Sequence, residues 1–198
     1  MDKTAASALF AWLDREVWLL TAQAGQRRGG LIATFVSEAS LVPHLPRVVV
    51  GIARQHHTWE LIEASNAFAL HLLGQHNLDW VVHFGLHSGR DVDKFADVPF
   101  TTAVTGSPIL DRAVGWLDCE VEARLNTGDR TLYLAQVVQS AVTHFGPPLT
   151  LKRLLESASP EMLAEMKRLV HHDGQIDAQA ILAWRQQQGI ASRGRQDA

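Results

Sequence analysis

The clearest pattern in the chain is a strict alternation of apolar and charged residues over positions 117–124, within a predicted strand over 114–124. The apolar members are Leu117, Cys119, Val121 and Ala123, and the intervening residues are Asp118, Glu120, Glu122 and Arg124. A period of two predicts an antiparallel strand with one buried face and one wet face. Residues 126–129 carry a hairpin turn signal, so residues 131–142 are predicted to form the partner strand.

Shorter apolar runs predict four earlier strands, at residues 17–22, 31–37, 48–52 and 67–73. The run at 48–52 is rich in β-branched residues, which favour strands. A glycine-rich turn is expected over 23–30. Helices are expected over 4–13, 58–65 and 77–84, and a polar loop over 85–98. Six strands with short connections indicate an antiparallel barrel rather than a parallel sheet.

The pattern changes to helical after Gly146-Pro147-Pro148. A helix is predicted from Leu151. A second begins at the N-cap Ser159, followed by Pro160, and is expected to stop at Gly174. Asp177 is expected to cap a last helix. The predicted organisation is a barrel over 1–146, a helical extension over 147–191 and a disordered tail over 192–198.

Composition excludes several classes of protein. The net charge is −3, with 46% hydrophobic and 20% charged residues, which gives no general attraction to nucleic acid or to acidic membranes. No run of 18 apolar residues predicts a transmembrane helix, and the first residues do not read as a signal peptide. A cytoplasmic protein is expected. Cys119, the one cysteine, is expected to lie in the core.

Two neighbouring segments could form an anion site. Arg54 follows the predicted strand 48–52, and Thr58 is placed to cap the next helix, whose first N–H groups carry partial positive charge. Thr34, Ser37 and Ser40 could add hydroxyl donors, and phosphate is the natural guest. In the alternative interpretation, Thr58 only caps its helix and Arg54 is solvated.

No metal site is predicted. His83 and His87 have the i, i+4 spacing of ligands on one helix face, but Gly85 lies between them and favours an end to the helix. The sequence contains no Gly-x-Gly-x-x-Gly or Walker loop, which argues against a Rossmann or P-loop enzyme.

The ordered set of motifs resembles the flavin reductase-like, FMN-binding split-barrel family, which includes the reductase components of two-component flavin monooxygenases. The resemblance covers about residues 12–143. It is carried by the segments 30–43, 48–62, 68–73, 106–110, 116–121 and 128–137, together with Phe84, Lys94 and Phe95.

The resemblance implies a mainly β, antiparallel, Greek-key-like split barrel with peripheral helices and a C-terminal helical extension. It also implies a homodimer holding FMN, or alternatively FAD, near the subunit interface. The flavin ring and ribityl chain are expected along Ala33, Thr34, Phe35, Val36, Ser37, Ser40 and Leu41. The phosphate is expected near Arg54, Gln55, His56, His57 and Thr58, and Phe84 is expected against the cofactor.

The activity implied by the resemblance is hydride transfer from NAD(P)H to flavin, with a partner monooxygenase as one possible recipient. No catalytic acid or base is required, because the cofactor carries the chemistry. Many flavin reductases have Gly-Asp-His before the last strand, with the histidine associated with NAD(P)H, whereas this chain has Arg130 there. An arginine could meet a nucleotide phosphate. The alternative is a non-catalytic module that binds flavin or haem.

Overall fold

A computed structural model describes residues 5–144 and 146–190. The predicted disordered tail, 192–198, lies outside the described residues. The helices are α1 (Ala5–Trp12), α2 (His57–Ser65), α3 (Leu78–Gly85), α4 (Leu151–Ser157) and α5 (Pro160–Gln187). The strands are β1 (Trp18–Ala24), β2 (Arg27–Ala33), β3 (Val36–Glu38), β4 (Arg47–Ala53), β5 (Ala67–Leu72), β6 (Thr101–Thr102), β7 (Pro108–Ile109), β8 (Gly115–Asn126) and β9 (Arg130–Val142). A 3-10 turn, Gln75–Asn77, precedes α3.

Seven strands form one antiparallel sheet in the order β2-β1-β5-β8-β9-β4-β3. The edge strands β2 and β3 are separated in the chain by only Thr34 and Phe35. Three Cα steps reach about 11 Å, whereas the edges of a flat seven-stranded sheet would be about 29 Å apart. The sheet must therefore curl until its edges meet, which gives the predicted split barrel. We call Thr34 and Phe35 the seam.

Two hydrophobic cores hold this barrel together. Alternate residues of β1 face opposite sides, so that Leu20 lies in the barrel interior and Leu19 in a second core outside it. Leu61 and Ile62 of α2 complete the interior core. The second core lies between the sheet, α3 and the segment after the barrel. Its fully buried members include Leu19, Leu73, Phe84, Leu110, Leu149 and Leu154.

The predicted glycine-rich turn over 23–30 is shorter in the structure, because Gly29 and Gly30 belong to β2. A Cβ at Gly29 would lie 3.0 Å from Leu61 of α2, and a Cβ at Gly30 would lie 2.9 Å from Phe84 of α3. The two glycines therefore let a helix approach closely on each side of the strand. The single predicted strand 31–37 is also wrong, because the seam divides it between two strands, β2 and β3.

The long hairpin of β8 and β9 is confirmed, but one part of its predicted wet face is wrong. Asp118 was expected on the wet face, yet it is fully buried beside Cys119. The alternation itself is kept, because Leu117, Cys119 and Val121 all belong to the barrel core, but Thr105 covers the opposite face at Asp118, so that face is not wet there. The Asp118 carboxylate accepts hydrogen bonds from Thr105 N at 2.9 Å and Thr105 Oγ1 at 2.5 Å. These bonds satisfy the buried charge.

The C-terminal extension also differs from the prediction. Ser159 caps a helix as expected, its Oγ accepting from Met162 N at 3.2 Å. That helix does not stop at Gly174, and Asp177 caps no helix, because α5 runs unbroken from Pro160 to Gln187. A single glycine costs a helix only about 1 kcal/mol, which neighbouring good helix formers offset. Within the described residues, no helix has the length and apolarity needed to cross a bilayer.

Candidate functional site at the barrel seam

The seam presents an exposed aromatic ring between two cations. Phe35 is 52% exposed. The guanidinium carbon of Arg130 lies 4.6 Å from the ring centroid, and that of Arg15 lies 5.3 Å from it. The Phe35 carbonyl accepts from Gly51 N at 2.9 Å, which fixes the seam against β4. The sequence analysis did not identify Arg15 as a site residue.

The rest of the predicted ring-binding segment extends from the seam. Ala33 is buried, and Thr34 and Val36 are partly buried. Val36 and the exposed Ser37 line a cavity of about 400 Å³ that also contacts Trp18 and Val48. The polar members beyond it are less free: Ser37 Oγ donates to the Glu38 carbonyl at 3.2 Å, and Ser40 Oγ accepts from Val42 N at 3.1 Å. Leu41 is 94% exposed.

The predicted phosphate segment lies at the next strand end. Arg54 N donates to the Asp129 carbonyl at 3.0 Å, and its exposed guanidinium lies 5.3 Å from the Trp59 ring centroid. The predicted capping role of Thr58 is wrong. The N-cap is His56, α2 begins at His57, and Thr58 lies inside the first turn with 3% exposure. The Trp59 N–H donates to the His56 carbonyl at 3.0 Å, but the start of α2 still carries the partial positive charge of a helix N-terminus, which attracts anions.

The two histidines of this segment are in different surroundings. Burial lowers the pKa of His56, although Asp173 of α5 acts in the opposite direction. The His57 Nδ1 atom is buried and has no hydrogen-bond partner among the described residues. A Cβ at Gly89 would lie 2.9 Å from that atom, and one at Gly29 would lie 3.2 Å from it. Burial also lowers the pKa of His57.

His57 also lines an arginine-rich cleft of about 470 Å³ between the β1–β2 turn, α2 and the loop before Lys94. Arg27, Arg28 and Arg90 contribute its cations, and Glu60, Asp91 and Asp93 contribute an equal number of carboxylates. Arg90 donates to Glu60 at 2.5 Å and to the Gln55 carbonyl at 2.6 Å, which joins the loop to the predicted phosphate segment. Sequence reasoning missed this cleft, because residues 27, 57 and 90 meet only through tertiary folding.

Phe84 lies away from the accessible surface. Its side chain is 1% exposed and packs against Phe95, with ring centroids 5.4 Å apart. The Lys94 ammonium donates to the carbonyls of Gly30 at 2.8 Å and Phe84 at 2.7 Å. Burial lowers the pKa of Lys94 to about 8. Phe84, Lys94 and Phe95, which carry part of the family resemblance, thus pack together next to β2.

Arg130 is held by two carboxylates. Its Nε donates to Asp129 Oδ2 at 2.5 Å, and its Nη2 donates to Asp177 Oδ2 at 2.7 Å. Burial is the largest single influence and opposes ionisation of Asp129, but the hydrogen bond and charge of Arg130, together with the Thr127 hydrogen bond, outweigh it and lower the pKa of that carboxyl. Asp177 Oδ1 also accepts from Gln55 Nε2 at 3.2 Å. No local sequence pattern indicates that Asp177 pairs with Arg130, since the two residues lie 47 positions apart.

The sheet register brings these pieces together. Val36 pairs with Val50, and Ala53 pairs with Arg130. Phe35, Arg54 and Arg130 therefore lie around the C-terminal end of β4, although three separate parts of the sequence supply them. The arrangement offers an exposed ring, a helix N-terminus and several cations within one region. These groups suit a ligand with a flat ring and a phosphate.

His83, one of the two histidines with the spacing of metal ligands, contacts other groups. His83 Nε2 lies 2.7 Å from the Lys94 carbonyl, and the His83 ring packs edge-on against Phe84. Within residues 5–144 and 146–190, no three His, Cys, Asp or Glu side chains are grouped to hold a metal ion.

Comparison with known proteins places this geometry in a family. The sequence model described as "Flavin reductase like domain" matches residues 11–154. The chain therefore belongs to the flavin reductase-like family, as the motifs predicted.

Individual proteins extend the comparison. Diflavin flavoprotein A 1 from Synechocystis sp. is 33% identical over 127 residues, which make up 64% of this chain and 22% of that protein. Nitrilotriacetate monooxygenase component B from Mycobacterium thermoresistibile superimposes with a TM-score of 0.65 at 25% identity, covering 77% of this chain and 87% of that one. An FMN-binding protein from Thermus thermophilus gives a TM-score of 0.61 at 25% identity, covering 66% and 73%.

Proposed function

We propose that this chain is an FMN-binding flavin reductase that transfers hydride from NAD(P)H to flavin. The observation that carries the proposal is the convergence of Phe35, Arg54 and Arg130 around the end of β4 in a chain of this family. The sequence had assigned these residues separately to ring, phosphate and donor contacts. Their meeting at one seam supports a single site for one ligand.

The surroundings fit a flavin nucleotide. The seam breaks the sheet between β2 and β3, so its backbone groups other than the Phe35 carbonyl, which accepts from Gly51 N, can bond to a ligand edge. Ala33, Val36 and Ser37 are small enough to allow a flat ring to approach. The phosphate end has the first turn of α2, Arg54 and the unpartnered Nδ1 of His57. Phe84 contributes as support for β2 rather than by direct contact, because it is buried.

The residues of this chain act by positioning. Bound flavin accepts the hydride itself, which needs no protein acid or base. Arg54 and the α2 N-terminus neutralise the phosphate, and the seam orients the ring. Arg130 lies over Phe35, where a donor nucleotide phosphate could reach it after its carboxylate partners move. FAD remains the alternative cofactor, since the arginine-rich cleft beside His57 could accept a second phosphate.

We also propose a homodimer. Every residue of α1 is exposed, including Phe10 at 62% and Trp12 at 74%. Leu41, which follows the seam and β3 in the chain, is 94% exposed. A second copy would cover such side chains and complete the flavin site. A monooxygenase that receives reduced flavin is the proposed partner, by analogy with the component B neighbour. A cytoplasmic location stays a prediction.

A second candidate function is a module that holds flavin or haem without turnover. The observation that favours it is the pairing of Arg130 with both Asp129 and Asp177, which leaves this cation less available to a donor. Purified protein separates the two functions. We expect a yellow protein whose flavin absorbance bleaches rapidly under NADH or NADPH. Bound flavin that stays oxidised with both donors would contradict the reductase, and failure to take up FMN would contradict both candidates.

The phosphate assignment has its own test. We expect Arg54→Ala to weaken FMN binding ten- to a hundredfold, since a charge-assisted contact contributes about 1.5–3 kcal/mol. Riboflavin lacks the phosphate, so its affinity should change little. The matched control is Arg112→Ala, because Arg112 also stacks on a tryptophan, 4.9 Å from the Trp80 ring centroid, but lies away from the seam. Equal loss for both ligands in Arg54→Ala would place Arg54 outside the phosphate site.

A further inference from the structure

The C-terminal helix lies against the barrel beside Arg130 through one stripe of side chains. Met162 and Met166 pack on the second core near the start of α5. Asp173 is close enough to His56 to affect its pKa, and Asp177 bonds to Arg130. A Cβ at Gly128 would lie 2.6 Å from Trp184 Cβ, so the helix rests against the β8–β9 turn. The spacing of these residues follows the helical period.

The ion pair is the main polar contact between α5 and the site. The side chains of Arg130 and Asp177 are 20% and 17% exposed, so water screens this pair less than a surface pair. Gln55, from the predicted phosphate segment, donates to the other carboxylate oxygen. Asp177 thus connects Arg130 of β9 with Gln55 of the predicted phosphate segment.

Apart from this bridge, α5 is attached by side chains such as Met162, Met166 and Trp184, which are only partly buried. No residue of α5 is fully buried over its 28 residues. Val170 is 71% exposed, and the Glu165–Arg168 pair lies within the helix itself. An element with few buried apolar contacts opens at low free-energy cost. Arg130 cannot bond fully to Asp177 and to a ligand phosphate at once, so an anion at Arg130 would compete with the helix.

We propose that α5 is a lid over the donor side of the flavin site, and that Asp177 is its latch on Arg130. The pyrophosphate of a dinucleotide donor takes the place of Asp177 on Arg130, which releases the middle of α5 and gives the nicotinamide access to the seam. The proposal rests on the proposed reductase function for the identity of the donor. The latch itself is a property of the chain that can be measured without flavin.

The first test is hydrogen exchange on the full chain without flavin. We expect Asp177→Asn to raise exchange of the α5 amides from 173 to 187 about tenfold, since a charged hydrogen bond is weakened. Glu165→Gln is the control, because it removes a pair on the same helix that does not touch the barrel. Inorganic pyrophosphate should raise the same exchange in the wild type. Unchanged exchange in Asp177→Asn would overturn the latch.

The second test separates a latch from a structural support. We expect Asp177→Asn to lower the KM for NADH about threefold to tenfold with little change in kcat, while Asp177→Glu, which can still pair with Arg130, stays near the wild type. A raised KM in Asp177→Asn would show that Asp177 assists the donor, and would overturn the proposal. If neither donor reduces the flavin, the reductase function fails, and the exchange response to pyrophosphate alone decides the latch.

Discussion

The barrel and the C-terminal helix meet at Arg130 but are held in place by different forces. Leu19 and Phe84, in the core behind the seam, are 0% and 1% exposed, whereas α5 has no fully buried residue. The barrel is fixed by apolar burial and a continuous strand ladder. The helix is attached by a half-exposed apolar stripe and one ionic bridge. A ligand can enter a site between the tightly packed barrel and the weakly held helix α5 without unfolding of the barrel.

The largest expected effect tests the packing of the second core. Phe84→Ala should lower the free energy of unfolding by about 3–5 kcal/mol, because it leaves a cavity among fully packed side chains. Val170→Ala, at an exposed position of α5, should change it by about 0.5 kcal/mol or less. Urea denaturation of both variants measures the contrast. A loss below about 1 kcal/mol for Phe84→Ala would mean that the second core is not rigid.

A buried histidine gives the barrel a pH dependence. His71 Nδ1 lies 3.1 Å from the Leu19 carbonyl, and its Nε2 accepts from Leu110 N at 3.1 Å, so the ring must be neutral. Burial lowers the pKa of His71 to about 4, below the ordinary value of 6.5. Stability from this group is therefore complete above pH 6.5 and is lost as pH falls towards 4, by about 3 kcal/mol.

Denaturation at pH 7.5, 5.5 and 4.5 measures this loss, with His71→Leu as the comparison. The variant should be less stable at pH 7.5, because the Leu110 N–H and the Leu19 carbonyl lose their partner. It should, however, lose about 3 kcal/mol less than the wild type over the acid range. Parallel pH profiles for the two proteins would show that His71 does not control the acid response.

Lys94 should have an intermediate effect. Lys94→Met should cost about 1–3 kcal/mol, because the carbonyls of Gly30 and Phe84 lose a buried donor. Its folded pKa of about 8 lies below the ordinary 10.5, so wild-type stability should rise between those pH values. Lys167→Met on the exposed face of α5 is the control and should be nearly neutral. The expected alkaline rise should be absent from Lys94→Met alone.

The smallest expected effect lies in the helix. Ser159→Ala removes the cap that accepts from Met162 N and should cost α5 about 1 kcal/mol. Hydrogen exchange should quicken in the first turns of α5 and remain unchanged in β8 and β9. Quickened exchange throughout the barrel would show that the helix and the barrel unfold as one unit, against the contrast drawn above.

Part of the site was predictable because its determinants are local. The apolar run at 48–52, the hairpin turn before Arg130 and the Ser159 cap each depend on neighbouring residues, and each has the predicted structure. The glycines at 29 and 30 misled the turn prediction because their reason is a close approach by Leu61 and Phe84, which are distant in sequence. Propensity alone could not separate a turn from a packing contact.

By itself, the sequence determined most of the strand pattern, the helix starts at Leu151 and Pro160 and the motifs of the flavin reductase-like family, because hydrophobic period and turn chemistry act over a few residues. Only the tertiary structure decided which charges meet. Curling of the sheet brought its edges together at Phe35, and the unbroken α5 placed Asp177 on Arg130. Coulomb pairing depends on distance in space, so no local pattern could have shown that the residue in the donor position already has a partner.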